Sequence, residues 1–385
     1  MLKTMFAAGL CGALLATSPA MAGKADVTLS VTSGLPANHA ALKIFRERFQ
    51  KEVDSRLSET GGPAVRWVET HGGTLSQLGG TLEAVEDDLS LFGIVAVNHE
   101  AKRLPLQDLT FQMPFTTENC RLVAVSYHAV HRTIDGMDAP LAAARQLYLA
   151  PIASDAYNII AVRKVGNAGD VRAMPLGIAD RLEGWLDGVD AVPVPIRADL
   201  IASRIEAEVL IGAVLPDTEM RRLGLKTLAD HYTRTAFGSQ VPYIVTVNAR
   251  RFADLPEAVR AAVSQAAGTF VSAAADDYCA AGAAALEKMK GEGLRTIKLL
   301  KSRREQWASA LAPLAQRWAQ RNDTAGHPGS RAVMAYMSHL RDGGMRLTRD
   351  WTRAAPAGGI ETLPAEDSPV GAGAVTKPIP QTAAR

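Results

Sequence analysis

The stretch that decides the fold covers residues 67–115: WVETHGGTLSQLGGTLEAVEDDLSLFGIVAVNHEAKRLPLQDLTFQMPF. Together with the residues just before it, the pattern predicts a strand over 65–69, a Gly-rich turn at 71–73, a helix over 75–86 and a strand over 89–97. The apolar run 91–97 has no period-2 alternation, which is typical of a strand covered on both faces in a parallel sheet. The stretch is therefore a βαβ unit.

Loops at the strand ends are the first candidates for a ligand site. Open α/β sheets bind ligands in the crevice beyond the carboxyl ends of their strands. In this unit those ends are the loops 70–74 and 98–103.

The alternation of strands and helices extends to both sides of this unit. A first set begins with a strand at 27–32 and an amphipathic helix at 40–57. Helices at 120–135 and 139–145 and two more strands, at 148–152 and 158–162, are predicted after the unit. A second set is predicted with strands at 175–178, 191–195 and 209–215 and helices at 180–186 and 198–206. The remaining predicted elements are a strand at 243–248 and helices at 252–275 (continuing to 291), 303–321 and 332–351. Two such sets indicate an α/β protein with two lobes.

The domain organisation follows from these sets and from shifts in composition. We expect a signal peptide at 1–22, lobe I at 23–150 with later C-terminal segments returning to it, and lobe II at 151–245. A strand and C-terminal helices that bridge the lobes are expected at 246–353. Residues 354–385 are rich in Pro, Ala, Gly and Thr and have almost no large apolar side chain, so a disordered tail is predicted there.

The N-terminus has the three parts of a secretory signal. Lys3 precedes an apolar run over 5–17, and an Ala-x-Ala ending predicts cleavage after Ala22. The run is too short for a membrane anchor, which needs about 20 apolar residues. Cys11 lies inside the run and does not suit a lipoprotein site. Export to the periplasm is expected.

Charge and cysteine content limit the classes of partner. The formal net charge of the 385 residues is +2 and 21% of them are charged, so no basic face for nucleic acid is indicated. After cleavage two cysteines remain, Cys120 and Cys279. An oxidising compartment permits a disulfide between them, but two buried thiols are an equally good interpretation.

Signatures of enzymes, metals and cofactors are absent or weak. The chain has no Gly-x-Ser-x-Gly, Walker, His-Glu-x-x-His or Cys-x-x-Cys motif. His128, His131 and Asp135 suit a metal by spacing, but a surface role is the more common one for such a helical pair. The glycine pairs at 72–73 and 79–80 do not match a dinucleotide fingerprint. No catalytic residue, cofactor or metal is predicted, and a periplasmic hydrolase is the weakest of the functional alternatives.

Several motifs, in order, resemble those of the DctP-like family of periplasmic solute-binding proteins of TRAP transporters. The similarity extends over roughly residues 27–320. The motifs are Leu35-Pro36-Ala37-Asn38-His39, His71-Gly72-Gly73-Thr74-Leu75, Thr81-Leu82-Glu83-Ala84-Val85, Leu109-Thr110-Phe111-Gln112-Met113-Pro114-Phe115, Val192-Pro193-Val194-Pro195, and Val245-Thr246-Val247-Asn248 with Phe252-Ala253-Asp254-Leu255-Pro256.

The resemblance implies both a fold and a function. It implies two α/β lobes, joined by crossing strands and a long helix, that close around a ligand by hinge motion. It also implies a non-catalytic protein that captures a small organic solute, an organic acid of the C4-dicarboxylate-like kind, and delivers it to the membrane permease subunits of a TRAP transporter.

The chain departs from the family pattern at the ligand site. Gly177 stands where the family has an arginine that grips the ligand carboxylate as a bidentate pair. A second arginine of some members is replaced by Tyr157 or Asn158, and residues 211–216 replace a polar motif after the turn. An anionic ligand without a cation would be buried unpaired, at a cost of several kcal/mol.

Two cations and several polar residues are candidates for binding the ligand. Arg181 and Arg197 lie near strand ends and would restore the missing positive charge, although a surface role is open for each. Neutral contacts are expected from some of the other polar residues near the cleft, which are Asn38, His39, His71, Asn98, Tyr157, Asn158 and Asp217. Each of them also suits a loop role, in which its side chain bonds nearby backbone groups.

The loss of the arginine keeps an alternative function open. A divergent member of the same fold would bind a less polar ligand or a protein partner and act as a sensor.

Overall fold

The computed structural model describes residues 27–179, 181–345 and 347–353. The predicted signal peptide at 1–22 and the predicted tail at 354–385 lie outside the described residues.

The described residues form eleven strands and twelve α-helices. The strands are β1 (Val27–Ser33), β2 (Val65–His71), β3 (Phe92–Ala96), β4 (Gln146–Ile152), β5 (Tyr157–Ala161), β6 (Pro175–Ile178), β7 (Val192–Pro195), β8 (Gly212–Pro216), β9 (His231–Gly238), β10 (Tyr243–Asn248) and β11 (Arg295–Lys298). The helices are α1 (Ala40–Ile44), α2 (Lys51–Glu59), α3 (Thr81–Glu86), α4 (Cys120–Thr133), α5 (Ala139–Ala143), α6 (Ile201–Glu206), α7 (Asp217–Arg222), α8 (Ala249–Ala253), α9 (Glu257–Gly291), α10 (Lys301–Ala310), α11 (Leu314–Thr324) and α12 (Gly329–Asp342). A π-helical segment, Phe45–Gln50, joins α1 to α2.

The first sheet has the strand order β2-β1-β3-β10-β4. β1 runs parallel to β2 and β3, whereas β10 runs antiparallel to β3 and β4. The quoted stretch supplies β3, whose five residues are all buried, as expected for a strand covered on both faces.

The second sheet has the order β11-β9-β5-β8-β6-β7. β6 is parallel to β7 and β8, and β5 is antiparallel to both β8 and β9. The predicted α/β class is confirmed: two mixed sheets with helices make two lobes connected by a long helix.

Two short segments cross between the sheets. Residues 153–156 lead from β4 to β5, and residues 239–242 lead from β9 to β10. The segments are bonded to each other, because Ser154 N donates to Gln240 O at 2.8 Å and Ser239 Oγ donates to Ser154 O at 2.6 Å. We call these two segments the crossover.

Helix α9 and a disulfide brace the crossover. The 35 residues of α9 span about 52 Å at 1.5 Å per residue. The helix packs on α2, α4 and β4 of the first lobe and on α7 of the second. Cys120 at the start of α4 is joined to Cys279 in α9, so the disulfide alternative is the one that the structure adopts.

Several predicted helices differ in extent from the observed ones: the helix predicted at 332–351 ends at Asp342, and the one predicted at 40–57 contains the π-helical segment Phe45–Gln50. Three others have a local cause. The helix predicted from residue 75 begins at Thr81, because Gly79 has a φ of +85° that a helix cannot contain. The helix predicted at 303–321 is broken before Pro313, which removes a backbone donor. Of the helix predicted at 180–186, the described residues 181–186 form a 3-10 turn, Glu183–Trp185, after Arg181 with a φ of +58°.

Four further elements were not predicted, namely β9, β11, α7 and α8. Helix α7 is the one that matters for function, because it starts directly after β8 and enters the space between the lobes. Among the described residues, no helix combines the length and the apolar character needed to cross a bilayer.

Candidate functional site

A cavity of about 620 Å³ lies between the two sheets at the carboxyl ends of their strands. This is the position that open α/β sheets favour for ligands. Its walls come from the loops after β1, β2, β3, β6 and β7, from the end of β8 and helix α7, from the crossover, from the starts of β5 and β10, and from α9. The lining residues are Gly34, Leu35, Pro36, His39, Gly72, Gln77, Leu78, Ala96, Asn98, His99, Ser154, Tyr157, Ala179, Arg197, Ala198, Asp199, Leu215, Pro216, Glu219, Arg222, Pro242, Tyr243 and Tyr278. We call this cavity the cleft.

Three side chains from both lobes meet in one polar cluster. Arg222 donates from Nε and Nη2 to the two carboxylate oxygens of Glu219 at 2.7–3.0 Å. His39 Nε2 lies 3.2 Å from Glu219 Oε1. Glu219 and Arg222 lie on α7 of the second lobe and His39 precedes α1 of the first, so the cluster bridges the cleft.

The tautomer of His39 follows from its other contacts. The N–H of Ala41 donates to Nδ1 at 3.2 Å, as an N-cap bond of α1. Nδ1 is therefore an acceptor, and the ring hydrogen is on Nε2, within reach of both Glu219 and the Tyr243 hydroxyl at 3.2 Å.

The cluster keeps Glu219 ionised despite its burial. Burial alone would raise the pKa of Glu219, but His39 and Arg222 outweigh it and lower the pKa to about 2. Burial also acts to lower the pKa of Arg222, and the hydrogen bond and charge of Glu219 outweigh that effect and raise it. The cleft therefore contains a formed ion pair.

A second ion pair lies at the mouth of the cleft. Arg197 donates to Asp199 from Nε at 3.1 Å and from Nη2 at 2.7 Å. The Arg197 side chain is 70% exposed, against 21% for Arg222. Solvent screens the outer pair far more than the inner one.

Gly177 has no room for the arginine of the family pattern. A Cβ at this position would lie 2.8 Å from Leu210 Cδ1 and 3.4 Å from Ile201 Cγ1. Leu210 and Ile201 belong to the buried apolar cluster between the second sheet and α6. A long polar side chain at 177 would have to displace that packing.

Two buried carboxyl groups lie behind the cleft, beside the crossover. Asp155, in the crossover, accepts from Thr218 Oγ1 at 2.7 Å and from Thr218 N at 3.1 Å. Asp217 accepts from Asn158 Nδ2 at 3.2 Å and from the Tyr232 hydroxyl at 3.1 Å.

Both carboxyl groups are held towards their protonated form. Burial raises the pKa of Asp155 to about 7, and burial together with the charge of Asp155 raises the pKa of Asp217 to about 8. Helix α9 closes the site, because a Cβ at Gly282 would lie 2.5 Å from Asp155 Cβ. Asp155 and Asp217 are called the crossover pair below.

The predicted site residues divide into two groups. Four of them line the cleft: His39, Asn98, Tyr157 and Arg197. The other five do not belong to its lining: Asn38, His71, Asn158, Arg181 and Asp217.

The positions of the second group have local explanations. Asn38 is exposed, and His71 Nε2 pairs with Glu69 Oε2 at 2.7 Å. Asn158 and Asp217 bond each other behind the cleft. Arg181 lines a separate cavity of about 680 Å³, near Asp108, whose pKa burial raises to about 6.

Sequence reasoning missed the residues that carry most of the polar character of the cleft. Glu219, Arg222, Tyr243 and Tyr278 all line it. Glu219 and Arg222 have the i, i+3 spacing of a helical ion pair directly after Pro216, a residue that ends β8. The spacing of Glu219 and Arg222 could have predicted this ion pair, but only if helix α7 had been predicted first.

The histidines considered for a metal have other contacts. His128 Nδ1 lies 3.2 Å from the Tyr148 hydroxyl, and His131 Nδ1 lies 2.7 Å from Asp138 Oδ1. Within residues 27–179, 181–345 and 347–353, no three His, Cys, Asp or Glu side chains are placed to hold a metal ion.

Comparison with known proteins identifies the family. The profile of "Bacterial extracellular solute-binding protein, family 7", also named DctP, matches residues 43–322. No curated protein matches the sequence.

Solved structures share the fold at low identity. A TRAP periplasmic solute-binding protein from Desulfovibrio salexigens is 19% identical with a TM-score of 0.71, over 83% of this chain and 97% of that one. A marine metagenome TRAP solute-binding protein specific for aromatic acids, in complex with 3-hydroxybenzoate, is 17% identical with a TM-score of 0.72, over 82% and 98%. An extracytoplasmic solute receptor of Bordetella pertussis that binds pyroglutamic acid is 15% identical with a TM-score of 0.68, over 82% and 100%.

Proposed function

The chain belongs to the bacterial extracellular solute-binding proteins of family 7, and from that premise we propose that it captures a small organic acid in the cleft and delivers it to the membrane permease of a TRAP transporter in the periplasm. Capture is proposed to be non-catalytic. The lobes close around the ligand, and the ligand shifts the open–closed equilibrium by its higher affinity for the closed state.

The observation that carries this proposal is the construction of the cleft. It lies at the strand ends of both sheets, its walls are mainly apolar and aromatic, and one partly buried arginine is among them. Small-molecule sites have this composition: apolar walls with a few polar groups that fix orientation.

The crossover supports the proposed hinge motion. Residues 153–156 and 239–242 are the two short segments where the chain passes between the sheets, and they are bonded to each other. Hinges consist of a few such residues that absorb the change in backbone angles. The related structures support an acid as ligand, because two of the three named above bind 3-hydroxybenzoate or pyroglutamic acid.

The test is a ligand screen of the purified full chain by thermal shift and small-angle scattering. The panel contains aromatic and aliphatic monocarboxylates, dicarboxylates, keto acids, sugar acids, amino acids and neutral analogues. A ligand at about 100 times its Kd stabilises the fold by about 2.7 kcal/mol. We expect at least one acid to raise the Tm and to reduce the radius of gyration.

The outcomes separate the proposal from its alternative. Stabilisation by neutral apolar compounds alone would favour the less polar ligand expected from the absence of an arginine at Gly177. A complete panel without stabilisation or compaction would contradict capture of a small solute.

A further inference from the structure

We propose that Arg222 is the residue that binds the ligand carboxylate, and that Glu219 restricts the cleft to ligands with a single negative charge on an apolar body. The inference rests on the proposed function and specifies the ligand class of the same site.

The position of Arg222 supports the role of anchor. Its guanidinium lines the cleft, and the fork with Glu219 uses Nε and Nη2, so Nη1 lies outside that fork. The fork fixes the plane of the guanidinium, which reduces the entropy lost when a ligand binds. Tyr243 also lines the cleft, and its hydroxyl lies 3.2 Å from His39 Nε2, so a tyrosine stands beside the cluster of His39, Glu219 and Arg222.

The two other arginines considered are worse candidates. Arg197 is bonded to Asp199 by two nitrogens and is 70% exposed, so it provides little desolvated charge. Arg181 lines the separate cavity beside Asp108.

The charges of the lining limit the charge of the ligand. Two arginines, Arg197 and Arg222, are matched by two carboxylates, Asp199 and Glu219, so these four groups are formally neutral together. One ligand carboxylate can share the guanidinium of Arg222. A second carboxylate would find no further arginine or lysine in this lining, where the remaining basic side chains are the imidazoles of His39 and His99, and burying an unpaired charge costs several kcal/mol.

The walls specify the rest of the ligand. The lining contains an apolar set, Leu35, Pro36, Leu78, Ala96, Leu215 and Pro242, beside the polar side chains of Gln77, Asn98, His99, Ser154 and Tyr157. The apolar set favours an apolar or aromatic body, which it binds through dispersion and the hydrophobic effect and which a polyhydroxylated ligand lacks. The combination describes a monocarboxylate with an apolar body.

The experiment uses matched probes of two shapes and calorimetry on the full chain. Benzoate, isophthalate and benzamide form an aromatic series, and hexanoate, adipate and hexanamide form an aliphatic one. We expect the monocarboxylate of at least one series to bind more tightly than its dicarboxylate and its amide by about 10-fold or more, the value of one charge-assisted hydrogen bond.

Pairwise neutral variants test the anchor without leaving a buried unpaired charge. E219Q/R222Q replaces the inner pair with amides, and we expect it to weaken monocarboxylate binding by about 10- to 100-fold. R197Q/D199N tests the outer pair, with an expected loss below about threefold because that pair is exposed. D88N/R250Q is the control, because it neutralises an exposed ion pair outside the cleft lining.

E219Q alone tests the charge restriction. It removes one negative charge from the cleft, so the ratio of dicarboxylate to monocarboxylate affinity should rise by about tenfold. The ratio is informative even if E219Q also alters the orientation of Arg222, because both ligands would lose that contact.

Several results would overturn the inference while leaving solute capture intact. One is tighter binding of a dicarboxylate than of the matched monocarboxylate. Others are an equal loss of affinity in R197Q/D199N and E219Q/R222Q, or an unchanged ratio of dicarboxylate to monocarboxylate affinity in E219Q. The last is binding of other acids from the wider panel when neither series binds. Absence of binding across that wider panel would instead contradict the proposed function itself.

Discussion

Buried carboxyl groups occur in two neighbouring regions of this molecule and differ in protonation. In the cleft, Glu219 has a pKa lowered to about 2. At the crossover, Asp155 and Asp217 have pKa values raised to about 7 and about 8. Burial opposes ionisation in all three, so burial does not explain the difference.

The difference in pKa between the cleft and the crossover is explained by the groups that contact each carboxyl group. Glu219 receives two bonds from the guanidinium of Arg222 and lies beside His39. The crossover pair is surrounded by neutral donors from Thr218, Asn158 and Tyr232, and the nearby Glu118 adds a further negative charge to Asp217. The cleft is therefore built to hold a charge, and the crossover is built to hold a proton.

The largest expected effect comes from removing the cation of the cleft. R222M leaves Glu219 buried beside His39 without its guanidinium, and loss of one partner of a buried pair destabilises a fold by about 3–5 kcal/mol. Chemical denaturation at pH 7 measures the change. R197M is the matched control, with an expected change below about 1 kcal/mol because its pair is exposed. Equal effects of the two variants would contradict the distinction between the inner and outer pairs.

The next largest effect is the pH dependence of stability that the crossover pair produces. A carboxyl group whose pKa is raised on folding contributes stability that is fully present below its ordinary value of 3.8 and is lost as pH rises through its folded value. We expect the free energy of unfolding to fall between about pH 4 and pH 8 by several kcal/mol, since each unit by which a pKa is raised corresponds to about 1.4 kcal/mol.

The amide variant D155N/D217N removes both titrating groups of the crossover pair. The free energy of unfolding should decline less between pH 4 and pH 8 in this variant than in the unchanged protein, as measured from unfolding curves at each pH. A decline of the same slope in that variant would assign the titration to other groups.

The smallest effect concerns pH in the cleft and has the opposite sign. Glu219 has a lowered pKa, so its contribution is fully present above its ordinary value of 4.5 and is lost as pH falls towards about 2. We expect a loss of about 1–3 kcal/mol over that interval. E219Q should lack this loss of unfolding free energy at acid pH and keep the decline between pH 4 and pH 8. If E219Q removed both pH dependences, the cleft and the crossover would titrate as one unit.

The strands of the fold were largely predictable because their signal is local. β6 and β10 have the predicted bounds, and β3 lies inside the predicted run. The helices were less predictable where a backbone angle or a proline intervened, as at Gly79 and Pro313. The boundaries of the lobes at 23–150, 151–245 and 246–353 stay a prediction.

The site was predictable only in outline. His39, Asn98, Tyr157 and Arg197 were named from their positions near strand ends, and they line the cleft. Asp217 and Asn158 occupy similar positions in the sequence but turn towards each other behind the cleft. The side-chain direction at a strand end depends on the turn that follows, which spacing along the chain does not encode.

The sequence by itself determined the α/β class, the two strand sets and the family, because apolar periodicity and motif order are properties of the chain. Only the tertiary structure decided which charges face the ligand. It filled the space beside Gly177 with Leu210 and Ile201, placed Arg197 at the exposed mouth, and joined His39, Glu219 and Arg222 across 183 positions of sequence. The physical reason is that electrostatic strength depends on distance and desolvation, and both are set when the two lobes face each other across the cleft.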